Sequence, residues 1–175
     1  GPTALPTPAG VEVVRITTAA ELLAAVQALA EAQDAFILAA AVADYAPAEV
    51  AQEKLKKTED SLQLHLRKTP DTLAWLGANR QPAQRLIGFA LETQDGPAHA
   101  RAKLEKKGAD AMVLNMHSQE GGTGFGHTTN AVTLIHASGE EVRFSLKPKK
   151  VLAHELLQAL FVQPAAAPAT SSTAP

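Results

Sequence analysis

The sequence predicts an α/β fold: a Rossmann-like three-layer sandwich with a mostly parallel sheet and a C-terminal antiparallel hairpin. Apolar runs at 35–43, 85–91 and 110–115 are typical of parallel strands that are buried on both faces. Segments with helical spacing lie between these runs, and such alternation of strands and helices indicates a parallel sheet covered by helices. Two further strand-like runs flank residues 138–140, Ser-Gly-Glu, which predicts the hairpin.

The N-terminal elements follow from local patterns. Residues 11–16 form a β-branched run and predict a strand. Thr18 and Glu21 have the spacing of a capping box, which predicts a helix that continues to about Gln33. The apolar run 35–43 then predicts a central strand.

The middle of the chain is less regular. Residues 44–60 are charged and contain a proline, so we expect a loop with some helical tendency. Leucines alternate with polar residues at 62–67, which predicts a half-exposed strand. Thr69 as a cap and Pro70 at the first helical position predict a helix that ends near Asn79.

The C-terminal half repeats the strand and helix alternation. Gly96 and Pro97 begin a predicted helix through Lys107, and Gly108 is expected to end it in a left-handed conformation. The remaining expected elements are a buried strand at 110–115, a glycine-rich loop at 117–129, hairpin strands at 131–136 and 142–146, and an amphipathic helix at 148–162.

Composition excludes several classes of protein. The 175 residues are 46% hydrophobic and 19% charged, which is typical of one globular domain. A net charge of −2 argues against a broad basic face for nucleic acid. The absence of cysteine excludes disulfides and thiolate chemistry. No apolar run reaches the roughly 18–20 residues of a membrane span. We therefore expect a cytoplasmic protein without a nucleic-acid or membrane partner.

The two ends of the sequence predict the domain organisation. Residues 1–8 are rich in proline and are expected to form an extended connector at the start of a fragment or a processed product. Residues 164–175 contain only Ala, Pro, Ser and Thr, and such a composition has too little apolar surface to fold. The predicted domain is therefore 1–162, followed by a disordered tail at 163–175.

Two charged features are candidates for chemistry. Asp44 directly follows a predicted buried strand, where a carboxylate could hold a ribose hydroxyl or a magnesium ion. The alternative is an aspartate that bonds its own turn. Lys54, Lys56 and Lys57 form a cluster that suits a flexible flap over phosphates, although such runs are more often a solvated face.

Weaker candidates lie further along the chain. The helix start at 70–73 offers backbone N–H groups to an anion, as every helix start does. Phe89 is either core or a stacking platform, and Lys103 and Lys107 complement the C-terminal dipole of their helix. The run Gly121–Gly126 is not a dinucleotide fingerprint, because it precedes a hairpin strand instead of opening a helix. Asn115 and Asn130, which flank that loop, are expected to cap turns.

In this order, the segments resemble the bacterial phosphopantothenoylcysteine synthetase domain, the second half of the bifunctional coenzyme A biosynthesis flavoprotein. Each segment is modest alone, but their joint order and spacing are specific. They span most of residues 1–160. The matching segments are 39–45 (Ala-Ala-Ala-Val-Ala-Asp-Tyr), 53–57, 68–71, 88–93, 109–115, and Gly124-Phe125 with Asn130.

The resemblance implies a two-step ligase of coenzyme A biosynthesis. CTP activates the carboxylate of 4′-phosphopantothenate as an acyl-cytidylate with the help of Mg²⁺, and cysteine then displaces CMP. The segments at 41–45 (Ala-Val-Ala-Asp-Tyr) and 54–57 resemble the CTP-using bacterial type rather than the ATP-using eukaryotic type. The resemblance also implies a homodimer and an upstream phosphopantothenoylcysteine decarboxylase domain, where FMN would be bound instead of in this chain.

Roles for individual residues are also implied by the resemblance. Lys54 corresponds to a catalytic flap lysine that neutralises phosphate charge. Asp44 lies at the ribose and base side, Phe89 at the cytosine, and the segment 38–40 is a backbone wall beside the reacting centre. The implied nucleotide-binding residues are Leu38, Ala39, Ala40, Asp44, Lys54, Pro70, Asp71, Thr72, Leu73, Phe89, Lys103 and Lys107.

The sequence departs from the family pattern at its beginning. Family members start earlier, with a strand, a glycine-rich turn, a helix and a second strand. Residues 1–162 are thus expected to be the C-terminal portion of the domain, and we expect this chain alone to be inactive, aggregated or poorly folded. The alternatives are a non-catalytic nucleotide-binding α/β module and a generic dehydrogenase-like domain.

Overall fold

A computed structural model describes residues 3, 5–51, 53–54, 61–116, 123 and 126–162. The described strands form a five-stranded sheet in the order β1-β4-β5-β6-β7 and a two-stranded sheet of β2 and β3. The strands are β1 Ala35–Leu38, β2 Tyr45–Pro47, β3 Leu66–Lys68, β4 Arg85–Glu92, β5 Ala111–Met116, β6 Thr129–His136 and β7 Glu141–Pro148. The helices are α1 Ala19–Leu29, which a short 3₁₀ turn extends over Ala30–Ala32, α2 Thr72–Asn79, α3 Gly96–Lys107 and α4 Lys149–Phe161.

The chain divides into two compact units. The first consists of Gly1–Gly88 with Glu105–Asp110, and the second of Phe89–Leu104 with Ala111–Pro175.

In the first unit, β1 pairs in parallel with β4, from Ala35 opposite Arg85 to Leu38 opposite Gly88. The helix that precedes β1 begins with the expected capping box, in which the Thr18 side chain accepts from the Glu21 N–H.

The loop between α2 and β4 is joined to the 3₁₀ turn after α1 by a buried polar side chain. The Gln84 side chain is buried, and its Nε2 donates to the carbonyls of Ala30 and Gln33 at 2.6 Å each. Its Oε1 accepts from the Gln81 N–H at 2.8 Å. One side chain therefore ties the end of the 3₁₀ turn to the loop before β4.

A close approach joins α2 to the end of α3. A Cβ built on Gly77 would lie 1.8 Å from the carbonyl oxygen of Lys107, so only glycine fits there. Gly108 then ends α3 with a φ of +59°, the left-handed conformation that glycine adopts most readily. Leu73 and Leu76 bury the inner face of α2.

In the second unit, β5, β6 and β7 form an antiparallel meander. The β6–β7 turn has Gly139 at a φ of +92°, and the Gly139 N–H donates to the His136 carbonyl at 2.9 Å. Leu152, Leu156 and Leu160 form the buried stripe of α4. Their helical spacing explains why this helix was predictable from sequence.

The predicted fold class, α/β and Rossmann-like with a C-terminal hairpin, is confirmed. All four predicted helices are present, as are the strands at 85–91 and 110–115 and both hairpin strands. The helix predicted from Thr69 has Asp71 as its cap instead, because Asp71 is the residue whose side chain accepts from the N–H of Ala74.

Three strand predictions were wrong or overextended. Residues 11–16 form no strand, and Val11, Val13 and Val14 are exposed, because a β-branched run needs a neighbouring strand to pair with. The run 35–43 is a strand only to Leu38 and is not buried on both faces: Ile37 is 44% exposed on the edge strand of the described sheet.

The third correction concerns the region between β1 and α2. The expected loop contains the short strand β2, and the expected strand at 62–67 is reduced to Leu66–Lys68. These two strands pair with each other, and Leu62, Leu64 and Leu66 are all exposed instead of half-buried. The predicted tail at 163–175 and most of the predicted glycine-rich loop lie outside the described residues.

Within the part of the chain that the structure describes, no helix has both the length and the apolar character needed to cross a membrane.

Candidate functional site

The segment after β1 is attached to the start of α2. The Thr69 N–H donates to the Asp44 carbonyl at 2.9 Å, and the Thr69 hydroxyl donates to the Ala43 carbonyl at 2.6 Å. Pairing of Tyr45 with Lys68 continues this contact. The backbone that carries the exposed Asp44 carboxylate is therefore bonded to Thr69. Thr69 lies two residues before Asp71, which caps α2.

The first turn of α2 combines a helix N-terminus with an ion pair. Asp71 Oδ1 accepts from the Ala74 N–H at 2.9 Å, while Asp71 Oδ2 accepts from the ammonium of Lys107. Pro70 is exposed, and Thr72 and Leu73 are buried. The backbone N–H groups of a first helical turn have no partner within the helix and attract anions. A lysine ammonium is therefore held where those groups already favour negative charge.

The backbone that carries Lys107 is anchored by Arg80. Its Nη2 donates to the Gly108 carbonyl at 3.0 Å and to Asp110 Oδ1 at 2.9 Å, and the Leu86 N–H donates to Asp110 Oδ2 at 2.7 Å. Burial raises the pKa of Asp110, but the hydrogen bonds from Arg80 and Leu86 and the positive charges of Arg80 and Arg85 outweigh it. The net pKa is lowered from its ordinary 3.8.

Two other predicted site features of this unit have different surroundings. Leu38 is the half-buried last residue of β1, and Ala39 and Ala40 follow it as exposed backbone. Lys54 is exposed, and no hydrogen bond or ion pair connects it to another described residue. Lys56 and Lys57 lie outside the described residues. The structure thus brings together the segment of Asp44, the first turn of α2 and Lys107.

In the second unit, two of the predicted residues contact each other. The Lys103 ammonium donates to the Phe89 carbonyl at 3.3 Å, and both residues are half-buried. The Lys103 ammonium thus donates one hydrogen bond to the backbone of β4. The sequence-based interpretation, in which Lys103 complements the helix dipole, does not predict this contact.

Sequence reasoning undervalued Asn115, near the end of β5. Its Oδ1 is buried and has no hydrogen-bond partner among the described residues, whereas the sequence predicts that this side chain caps a turn. Buried polar atoms are usually paired, so an orphaned acceptor is notable. The only sequence signal is a polar residue at the end of an otherwise apolar strand. By contrast, Asn130 Oδ1 accepts from the N–H of Ala131 at 3.1 Å.

The described residues hold no group of three or more His, Asp or Glu side chains arranged to bind a metal ion. Both carboxylates of the first-unit cluster, Asp44 and Asp71, are exposed.

Comparison with known proteins gives a consistent result. Residues 1–162 match the family model of the DNA/pantothenate metabolism flavoprotein C-terminal domain. The coenzyme A biosynthesis bifunctional protein CoaBC of Vibrio vulnificus strain CMCP6 is 43% identical over 160 residues, which are 90% of this chain and 39% of that protein. The chain therefore spans about two fifths of the length of this relative.

Solved structures give the same result for the fold. The crystal structure of the C-terminal domain of a CoaBC protein has a TM-score of 0.73 and 33% identity, over 91% of this chain and 69% of that one. The structure of the Cab2 variant H337A in complex with phosphopantothenate-cysteine has a TM-score of 0.57 over 83% of this chain and 53% of that one. At 19% identity, this second likeness shows the fold alone.

Proposed function

Because the chain belongs to the family of the DNA/pantothenate metabolism flavoprotein C-terminal domain, we propose that it carries the nucleotide site of a phosphopantothenate–cysteine ligase in coenzyme A biosynthesis. The observation that carries the proposal is the cluster in the first unit. The segment of Asp44, the first turn of α2 and the ammonium of Lys107 lie together there, joined through Thr69 and Asp71.

The proposed reaction has two steps. A carboxylate oxygen of 4′-phosphopantothenate attacks the α-phosphorus of CTP, and the bond to the β-phosphate oxygen breaks to release pyrophosphate. The amine of cysteine then attacks the acyl carbon of the resulting acyl-cytidylate, loses a proton and displaces CMP. Both steps handle a densely anionic nucleotide, which positive charge and backbone N–H groups can stabilise.

Each residue of the cluster has a proposed part in this chemistry. Lys107 and the backbone of 70–73 bind the nucleotide, and Asp44 holds the ribose. The backbone of 38–40 lines the reacting centre. Lys54 is proposed to reach the phosphates from the flap and to neutralise charge during the first step. In the second unit, Phe89 and Lys103 stay predicted nucleotide contacts.

Magnesium is proposed as a partner of the nucleotide. Mg²⁺ is usually held by one or two carboxylates together with substrate phosphates, so the absence of a three-residue acidic group among the described residues fits such a metal. Bound to the substrate phosphates, the ion would neutralise their negative charge. FMN is proposed to belong to the decarboxylase part of the bifunctional relatives.

A homodimer is proposed through the two-stranded sheet. Leu62, Leu64 and Leu66 are 68%, 62% and 56% exposed, and Tyr45 on the paired strand is 54% exposed. Contiguous exposed apolar side chains of this kind mark an association surface. Sedimentation of Leu64→Glu beside the wild type tests this, because the variant is expected to be monomeric; a wild-type monomer would refute the dimer.

The ligase is tested by measuring pyrophosphate release on the protein in its longest native form. CTP and ATP are compared in parallel in the presence of 4′-phosphopantothenate and cysteine. We expect release with CTP, little with ATP, and loss of release in Lys54→Gln with an unchanged unfolding transition. Lys68→Gln is a matched control for removal of an exposed lysine charge. Binding of CTP without release of pyrophosphate would instead identify a non-catalytic nucleotide-binding module.

A further inference from the structure

The side chain of Lys107 is held at both of its ends. At the backbone end, its carbonyl lies against Gly77, and the next residue accepts a hydrogen bond from Arg80. At the far end, its ammonium donates to Asp71 Oδ2. Asp71 is thus the ion-pair partner of this ammonium among the described residues. The ammonium of Lys107, the last residue of α3, thus lies at the first turn of α2.

Asp71 does two separable things with its two oxygens. Oδ1 caps α2 through the N–H of Ala74, and Oδ2 pairs with Lys107. Capping requires only one oxygen and no charge, since asparagine caps as well as aspartate. Capping therefore does not require the negative charge of Asp71, which interacts favourably with the helix dipole and pairs with Lys107.

The exposure of the two partners is unequal. The Lys107 side chain is 15% exposed, whereas that of Asp71 is 49% exposed. An ion pair that is half open to solvent adds little to stability. Because Lys107 is anchored at its backbone by Arg80 and by the contact with Gly77, only its flexible stem has to move when the ammonium changes partner.

We propose that Asp71 is a positioning residue that serves as an exchangeable counter-ion for Lys107. Its carboxylate holds the ammonium at the first turn of α2 in the empty protein and competes with phosphate for it when a nucleotide or pyrophosphate is present. This inference rests on the proposed function. Its consequence is weaker retention of the pyrophosphate product, because Asp71 recaptures the ammonium as pyrophosphate departs.

Calorimetric titration with inorganic pyrophosphate tests the exchange without requiring turnover. Asp71→Asn keeps the cap and removes the competing charge, so it is expected to bind pyrophosphate about two- to fivefold more tightly, the effect of losing a part-exposed ion pair. Glu105→Gln removes one exposed charge from the same helix as Lys107 and is expected to change affinity by less than about 1.5-fold, because salt screens such charges. A purely structural role for Asp71 would weaken binding.

Crystal structures with and without pyrophosphate provide the second measurement. The Lys107 ammonium is expected to leave Asp71 for the ligand while the Lys107 backbone stays in place. The exchange is overturned if Asp71→Asn binds pyrophosphate no more tightly than the wild type, or if the Lys107 ammonium stays on Asp71 in the complex. The proposed function still stands in that case if the wild type binds CTP. A wild type that binds neither CTP nor pyrophosphate overturns both.

Discussion

Replacement of Gly77 by alanine is the sharpest test of how α2 and α3 support Lys107. A Cβ at this position would lie 1.8 Å from the Lys107 carbonyl oxygen and 2.9 Å from its carbonyl carbon. Real Cβ contacts are essentially never shorter than 3.0 Å, so the two backbones must separate by at least about 1.2 Å (3.0 minus 1.8). No side-chain rotation relieves this contact, because both obstructing atoms belong to the backbone.

The expected cost follows from two opposing effects. Overpacking in a close-packed region typically costs about 1–3 kcal/mol, and the better helix propensity of alanine returns up to about 1 kcal/mol. We expect a net loss in the free energy of unfolding of roughly 1–2 kcal/mol, which lowers the melting temperature by about 2–8 °C in a chain of this size. The displaced Lys107 backbone should also weaken pyrophosphate binding, because the ammonium no longer reaches the first turn of α2.

The assay is urea and thermal unfolding of Gly77→Ala beside the wild type, with pyrophosphate titration of the same samples. Gly96→Ala is the matched control. There the new Cβ would meet the sulfur of Met116 at 2.2 Å, but this atom belongs to a flexible side chain that can move away. Its effect should be clearly smaller. If Gly77→Ala is as stable as the wild type and binds pyrophosphate equally well, the close approach does not position Lys107.

Two further outcomes concern the polar contacts of the first unit. The pKa of Asp110 is lowered in the folded state, so its contribution to folding stability is present above its ordinary pKa and is lost as pH falls through the lowered value. Asp110→Asn should therefore be less stable than the wild type at pH about 7, and its stability should decline less steeply toward pH about 3. An unchanged dependence of the unfolding midpoint on pH would contradict this. Gln84→Ala removes the side-chain donor that bonds two carbonyls at 2.6 Å, and it should lower the free energy of unfolding in urea by about 1–3 kcal/mol. Gln81→Ala keeps its backbone N–H donor to Gln84 and should lower it much less. Equal losses in the two variants would show that the bonds of Gln84 do not stabilise the fold.

The elements that were predictable from sequence are those whose cause is local. The capping box of Thr18 and Glu21 lies within four residues. The left-handed conformation of Gly108 at the end of α3 depends on the residue type at that one position. The leucine stripe of α4 shows its buried face by spacing alone. In such cases the residues that set the structure are neighbours along the chain.

Strand predictions were wrong where the availability of a second, pairing strand determines whether a strand forms. Residues 11–16 have the composition of a strand, but a strand exists only when another backbone pairs with it. The apolar run after Leu38 likewise leaves the ladder, because its backbone bonds to Thr69 instead of to β4. Composition reports a tendency toward extended backbone and does not report which neighbour is available.

The sequence by itself determined the α/β class, the order of most helices and strands, and the residue types available to meet an anionic ligand. Only the tertiary structure decided that Asp71 and Lys107, which are 36 positions apart, share an ion pair, and that Arg80 closes onto Asp110 across 30 positions. It also left the buried Oδ1 of Asn115 without a hydrogen-bond partner among the residues that the structure describes. The physical reason is that helix caps and apolar spacing act over one or two turns, whereas charge pairing and backbone packing depend on how distant segments fold together.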